Sequence, residues 1–179
     1  TITGDAFNVF VFLEISSLSS YALISLGPDR RALAAAYRYL ILGTIGATFF
    51  VIGLGLMYMM TGTLNMVDLA ERLKSVQETR TVLAAFAFLS VGLSLKLALF
   101  PMHAWLPNAY AYAPSLVTAF IAATATKVAV YVYLRFFFTV YGAEYTFELM
   151  RLDRFIVPLA LLGIFIASLV AVFQSTQRF

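Results

Sequence analysis

The chain has 179 residues and is 62% hydrophobic but only 12% charged, whereas soluble domains average roughly 45–50% apolar and about 25% charged. A net charge of +3 without any basic run argues against nucleic acid as a partner. The lack of cysteine excludes disulfides, thiolate iron–sulfur ligation and cysteine zinc sites, and a single histidine cannot build a metal cluster, so no cofactor of its own is expected.

The composition is that of an all-α membrane protein, a bundle of several transmembrane helices. The first apolar segment covers residues 6–26; at 1.5 Å per residue it reaches about 31 Å, enough for the roughly 30 Å hydrocarbon layer. Gly27-Pro28-Asp29-Arg30-Arg31 ends it with turn residues followed by cations. The second segment, 34–60, contains Gly43, Gly46, Gly53 and Gly55, read as sites of close helix packing. In the polar stretch that follows, residues 65–74 place Met66, Leu69, Ala70 and Leu73 at helical spacing, with Asn65 as cap and Asp68 in the first turn. That pattern predicts a short helix lying at the membrane interface.

The third segment, 81–110, is broken near Pro101 and bent again at Pro107. Proline lacks an N–H and its ring presses on the carbonyl four residues back, here that of Leu97. The fourth segment is 115–140 and the fifth 155–173, the latter with Pro158 in its first turn, where proline is tolerated. The chain opens at Thr1 with neither an initiator methionine nor a signal-peptide pattern, and stops soon after the fifth segment. It is expected to be one transmembrane domain, 1–179, cut from a longer subunit.

Three charges lie deep in apolar segments: Glu14, Lys96 and Lys127. Each costs about 2.5–3.5 kcal/mol at mid-membrane and normally faces a protein interior or a hydrated cavity. Each also has polar company at helical spacing: Glu14 with Ser17 and Tyr21, Lys96 with Gly92 and, across the break, His103, and Lys127 with Thr124 and Tyr131. Similar depth suggests a Glu14–Lys96 pair. Desolvation eases a proton off an ammonium and a nearby carboxylate holds it on, so a pair with two arrangements could load and release a proton. Lys127 and His103 could pass it on through water. The plain alternative is an ion pair that only fixes helix register, and for His103 a hydrogen-bonded structural role. A third reading is a pocket for quinone lined by aromatics and His103.

These residues carry a resemblance. The Glu14 segment from Thr3-Gly4-Asp5 onward, Thr61-Gly62-Thr63-Leu64-Asn65-Met66, the broken stretch Lys96 to Pro107, and Ala113-Pro114-Ser115-Leu116-Val117-Thr118-Ala119 followed by Lys127 occur in the order found in the proton-conducting membrane transporter family. That family comprises the antiporter-like subunits of respiratory complex I and of Mrp-type sodium/proton antiporters. The chain resembles it over almost its whole length, and Thr-Gly-Asp with Gly-Thr-Leu-Asn-Met leans towards the D-type Mrp subunits and related hydrogenase modules.

The resemblance implies inverted five-helix repeats, each with a discontinuous helix, of which this chain supplies most of the first repeat and the opening helix of the second. It implies a proton relay of Glu14, Lys96, His103 and Lys127 and a transporter subunit without a catalytic centre. In complex I, such a chain would be part of NADH:quinone oxidoreductase. It also implies a bacterial or archaeal cytoplasmic membrane, neighbouring membrane subunits and lipid as partners, and protons, with sodium in the Mrp case, as cargo. Its topology puts Arg30 and Arg31 on the cytoplasmic side, whereas the positive-inside count favours the end carrying Arg72, Lys74, Arg80, Arg135, Arg151 and Arg154. Two departures from the family pattern stand out: Asn108 stands where aspartate is common, and Ser115-Leu116 replaces Thr-Pro.

Overall fold

A computed structural model describes residues 3–175. Its helices are α1 (Ala6–Ser25), α2 (Arg30–Thr61), α3 (Met66–Leu73), α4 (Arg80–Leu97), α5 (Leu106–Tyr112), α6 (Ser115–Leu134) and α7 (Asp153–Ser175). A π-helical turn, Arg135–Val140, continues α6, and a second, Glu144–Leu149, lies in the connection to α7. Five of these stretches are long and apolar enough to cross a membrane: α1, α2, α4, α6 with its π-turn, and α7. The chain is an all-α, multi-span integral membrane protein.

The caps set where the helices begin. The Asp5 carboxylate accepts from the Asn8 N–H at 2.8 Å and starts α1. The Asp29 carboxylate accepts from the Arg31 N–H at 2.9 Å, so α2 begins at Arg30, four residues before the apolar run that marks it in the sequence. Asn65 accepts from Val67 and Asp68 at the head of α3, as its sequence predicts. The apolar stripe of α3 turns towards the protein: Met66, Leu69 and Leu73 are buried in the same core as the π-turn at 135–140.

The most extensive packing is between α2 and α4. A Cβ on Gly92 would stand 2.7 Å from the Gly46 carbonyl oxygen, and one on Gly53 would stand 2.7 Å from Leu89 Cγ. Helices approach this closely only where a side chain is missing. Gly55, expected in the same role, has open space beside it: it lies on the other face of α2, and packs against nothing.

The interior is two apolar clusters stacked along the helices. One unites Ala6, Val9 and Leu13 of α1 with Phe50, Leu54 and Met57 of α2, the first turns of α4, and Phe136 and Phe137. The other unites Tyr21 and Ile24 of α1 with Ala35, Ala36 and Tyr39 of α2, Trp105, Ala109 and Ile121. Around their junction, α1 and α4 carry the polar side chains Glu14, Ser17, Ser20, Ser94 and Lys96, none of them exposed. Glu14 is eight residues into α1, about 12 Å along a helix of about 30 Å, and therefore near mid-membrane. The polar layer is held where lipid offers charge the least.

Candidate functional site

The charged centre lies where α1 meets the end of α4. Lys96 Nζ donates to Glu14 Oε1 at 2.5 Å and to Ser17 Oγ at 3.2 Å. The two charged side chains keep only 7% and 19% of their surface. Ser17 is three residues after Glu14, so one face of α1 presents both oxygens to the ammonium. The pair suggested by depth and spacing is therefore formed.

Lys96 is the last residue but one of α4. The helix ends earlier than Pro101 alone requires. Ala98 adopts a left-handed conformation (φ 57°), its N–H donates to the Leu95 carbonyl at 3.2 Å, and the Leu99 N–H reaches back to Ser94 at 3.0 Å. That pair of bonds is a Schellman closure, so the Ser94 and Leu95 carbonyls at the end of α4 are met within the chain. The break expected near Pro101 spans residues 98–105, and helix resumes only at Leu106. Proline disfavours helix at Phe100 and Pro101, and the left-handed Ala98 has already ended the helix three residues before it.

Trp105 closes the break from below. Its indole N–H donates to the Leu95 carbonyl at 3.2 Å, and its ring stacks on Tyr39 with centroids 4.1 Å apart. Tyr39 meets Tyr21 edge-on at 4.5 Å. Tyr21 needs the missing side chain of Gly43, where a Cβ would collide with its hydroxyl. Tyr39 and Trp105 wall a cavity of about 40 Å³ that touches Lys96 and Ser17 on one side and Thr124, Ala125 and Val128 of α6 on the other. A space that size, with polar groups at its edge, has room for water.

The remaining candidates stand apart from this centre. Lys127 is one turn beyond Thr124 on α6, but it is exposed and its ammonium folds back onto the Ala122 carbonyl at 2.5 Å. His103 lies in the break with its ring 5.4 Å from Phe100, and it faces α7 across a groove of about 360 Å³ lined by Ala160, Gly163 and Ile164. Its Nδ1 is buried without a hydrogen-bond partner among the described residues. The structure thus joins Glu14 to Lys96, brings the cavity to the turn of α6 that carries Lys127, and leaves His103 on the opposite side of the break. Tyr39 and Trp105 also form the site, and helical spacing gives neither a role. The available signal is the indole N–H, a donor that a buried tryptophan must satisfy, in a stretch where a broken helix frees carbonyls. No group of acidic or histidine side chains able to hold a metal occurs among the described residues.

The family described as NADH:quinone oxidoreductase/Mrp antiporter, transmembrane, matches residues 3–178. The chain belongs to this family. Within the family it is 52% identical over 138 residues to a chain named NADH-quinone oxidoreductase subunit N of Desulforudis audaxviator, covering 77% of this chain and 27% of that one. It is 34% identical over 151 residues to the D-type subunit of the Na(+)/H(+) antiporter of Bacillus subtilis, covering 83% and 31%. The chain therefore spans less than a third of the curated antiporter-family relatives it matches. Among solved structures, a chain of the archaeal membrane-bound sulfane sulfur reductase superposes with a TM-score of 0.73 at 38% identity, over 78% of this chain and 28% of that one. A chain of the Mrp complex from Dietzia superposes at 0.70 and 33% identity, over 78% and 26%. Both come from membrane complexes, and the antiporter-family fold is common to all of them.

Proposed function

We propose that this chain is part of a membrane subunit that carries protons across the bilayer in an Mrp-type cation/proton antiporter or a related complex, with the Glu14–Lys96 pair as its mid-membrane proton-handling group. The observation that carries the reading is the ion pair itself: a carboxylate and an ammonium in contact at the end of a broken helix, beside a cavity with room for water. A buried charged pair contributes little net stability compared with apolar side chains of the same size, so stability alone gives no reason to keep one.

In this reading Glu14 and Lys96 alternate between contact and separation, and on separation a proton passes from Nζ to water admitted by the cavity. The cavity reaches Thr124, one turn from Lys127. Rotation of the Lys127 side chain away from Ala122 would offer that proton its next acceptor once Lys127 is itself unprotonated. His103, whose buried Nδ1 has no partner among the described residues, would serve the stretch on the α7 side.

The test uses inverted membrane vesicles containing the intact complex. With the interior acidified by ATP hydrolysis, added sodium is expected to collapse the pH gradient in wild type and not in Glu14→Gln, at matched protein levels. Normal sodium-driven collapse in the variant would refute the role of the pair. The 52% identity to a chain named NADH-quinone oxidoreductase subunit N favours a second reading, in which electron donors rather than sodium drive proton movement. Sodium without effect, together with donor-driven pumping that Glu14→Gln lacks, would establish it. A quinone pocket at Trp105 is less well supported, because its ring is only 2% exposed and stacked on Tyr39; photolabelling with a quinone analogue would test the groove beside His103.

A further inference from the structure

Far from the ion pair, α2 and α5 form a second cleft, with a volume of about 180 Å³, lined by Arg31, Ala34, Ala35, Arg38, Asn108 and Tyr112. Arg31 and Arg38 are seven residues apart, so they lie on one face of α2 about 10 Å apart along its axis. The alanines between them leave the space open. Arg31 stands over the Tyr112 ring, 5.9 Å from its centroid. No carboxylate lines the cleft, and neither guanidinium has an ion-pair partner among the described residues, although the Asp29 carboxylate caps α2 on the Arg31 N–H. Asn108 adds an amide where aspartate would have supplied an opposing charge.

The depth of the cleft selects its occupant. The helix α2 has 32 residues, about 48 Å, against a hydrocarbon layer of roughly 30 Å. Its uncharged run from Tyr39 to Met60 accounts for about 33 Å. Arg38 is therefore at the edge of the hydrocarbon, and Arg31 is in the headgroup zone, with Tyr37 and Ile41 exposed beside them for acyl chains. Arginine pairs with phosphate oxygens through a planar fork, and an interfacial tyrosine is at home among headgroups.

We propose that this cleft binds the phosphodiester headgroup of an anionic phospholipid, gripped by Arg38 and Arg31 and hydrogen-bonded by Asn108 and Tyr112. The proposal does not depend on the proton pathway. Its test uses the full complex reconstituted in phosphatidylcholine nanodiscs with a trace of photoactivatable phosphatidylglycerol, the adducts being mapped by mass spectrometry. Adducts are expected on residues 31–41 or 108–112, and excess unlabelled phosphatidylglycerol should suppress them while excess phosphatidylcholine and inorganic phosphate do not. Arg31→Gln with Arg38→Gln should lower the adduct yield about ten- to thirtyfold. Asn108→Asp, which keeps both cations and adds a carboxylate, should lower it severalfold, and it serves if the double variant fails to assemble. Equal suppression by phosphatidylcholine, full yield in the variants, or suppression by inorganic phosphate would overturn the assignment, the last by showing a site for soluble phosphate.

Discussion

At the scale of single residues, the Glu14–Lys96 contact has two possible values, structural and functional, and mutation can separate them. Breaking a buried pair by removing one partner costs about 3–5 kcal/mol, while replacing both with apolar groups is often neutral. Here Ser17 still accepts from Lys96 and the neighbouring cavity admits water, so Glu14→Gln is expected to cost about 2–3 kcal/mol, at or below the lower end of that range. Thermal unfolding of the solubilised protein should show this loss. Glu14→Leu with Lys96→Met should recover most of the stability and none of the transport. Recovered transport in that double variant would reduce the pair to a packing device. Glu14 and Lys96 were legible in the sequence because a charge in an apolar run must find a partner, and the two lie at similar depth. The directions of Lys127 and His103 were not. Helical spacing fixes a residue's face on its own helix, but not which neighbour that face meets, and beyond the break at residues 98–105 it fixes nothing.

At the scale of elements, the break in α4 is held by hydrogen bonds as much as by proline. Its turning point is Ala98, an L-residue at φ 57°, a conformation that costs roughly 1–2 kcal/mol in anything but glycine. Ala98→Gly is expected to stabilise the protein by about 1 kcal/mol after the greater chain entropy of glycine is offset, and Ala98→Val to destabilise it, because a branched Cβ is poorly accommodated there. Melting temperatures of the two variants, moving in opposite directions around wild type, would check this. If Gly lowered stability, the partly buried methyl of Ala98 in the Trp105 cluster would outweigh the backbone strain. The existence of a break was legible from Pro101; its start at Ala98 was not, because no glycine or asparagine announces the left-handed residue. By contrast, α3 was legible to within a residue, since Asn65 and Asp68 mark its start and Met66, Leu69 and Leu73 its buried face.

At the scale of the whole molecule, the spans set the sidedness. The α1–α2 turn with Arg30 and Arg31 and the α3–α4 connection with Lys74 are separated by one spanning helix, α2, and must therefore lie on opposite faces of the membrane. Which face is cytoplasmic is a contest between two arguments. The positive-inside count favours the end bearing Lys74, Arg80, Arg151 and Arg154. Orientation, however, is set by the whole protein, and this chain spans less than a third of its curated relatives, so in a subunit of their length most of the charge that decides it would lie outside this chain. The topology implied by the antiporter-like pattern puts the Arg30 turn inside. We expect Arg30→Cys to react with a membrane-impermeant maleimide in inverted vesicles, and Ser75→Cys in right-side-out ones, in an otherwise cysteine-free background. Both positions are exposed, and this chain contributes no cysteine of its own. The reverse pattern would show that the local charge excess governs after all. Labelling of both from the same side would remove α2 as a span, and with it the mid-membrane depth on which the roles of Glu14 and Lys96 depend.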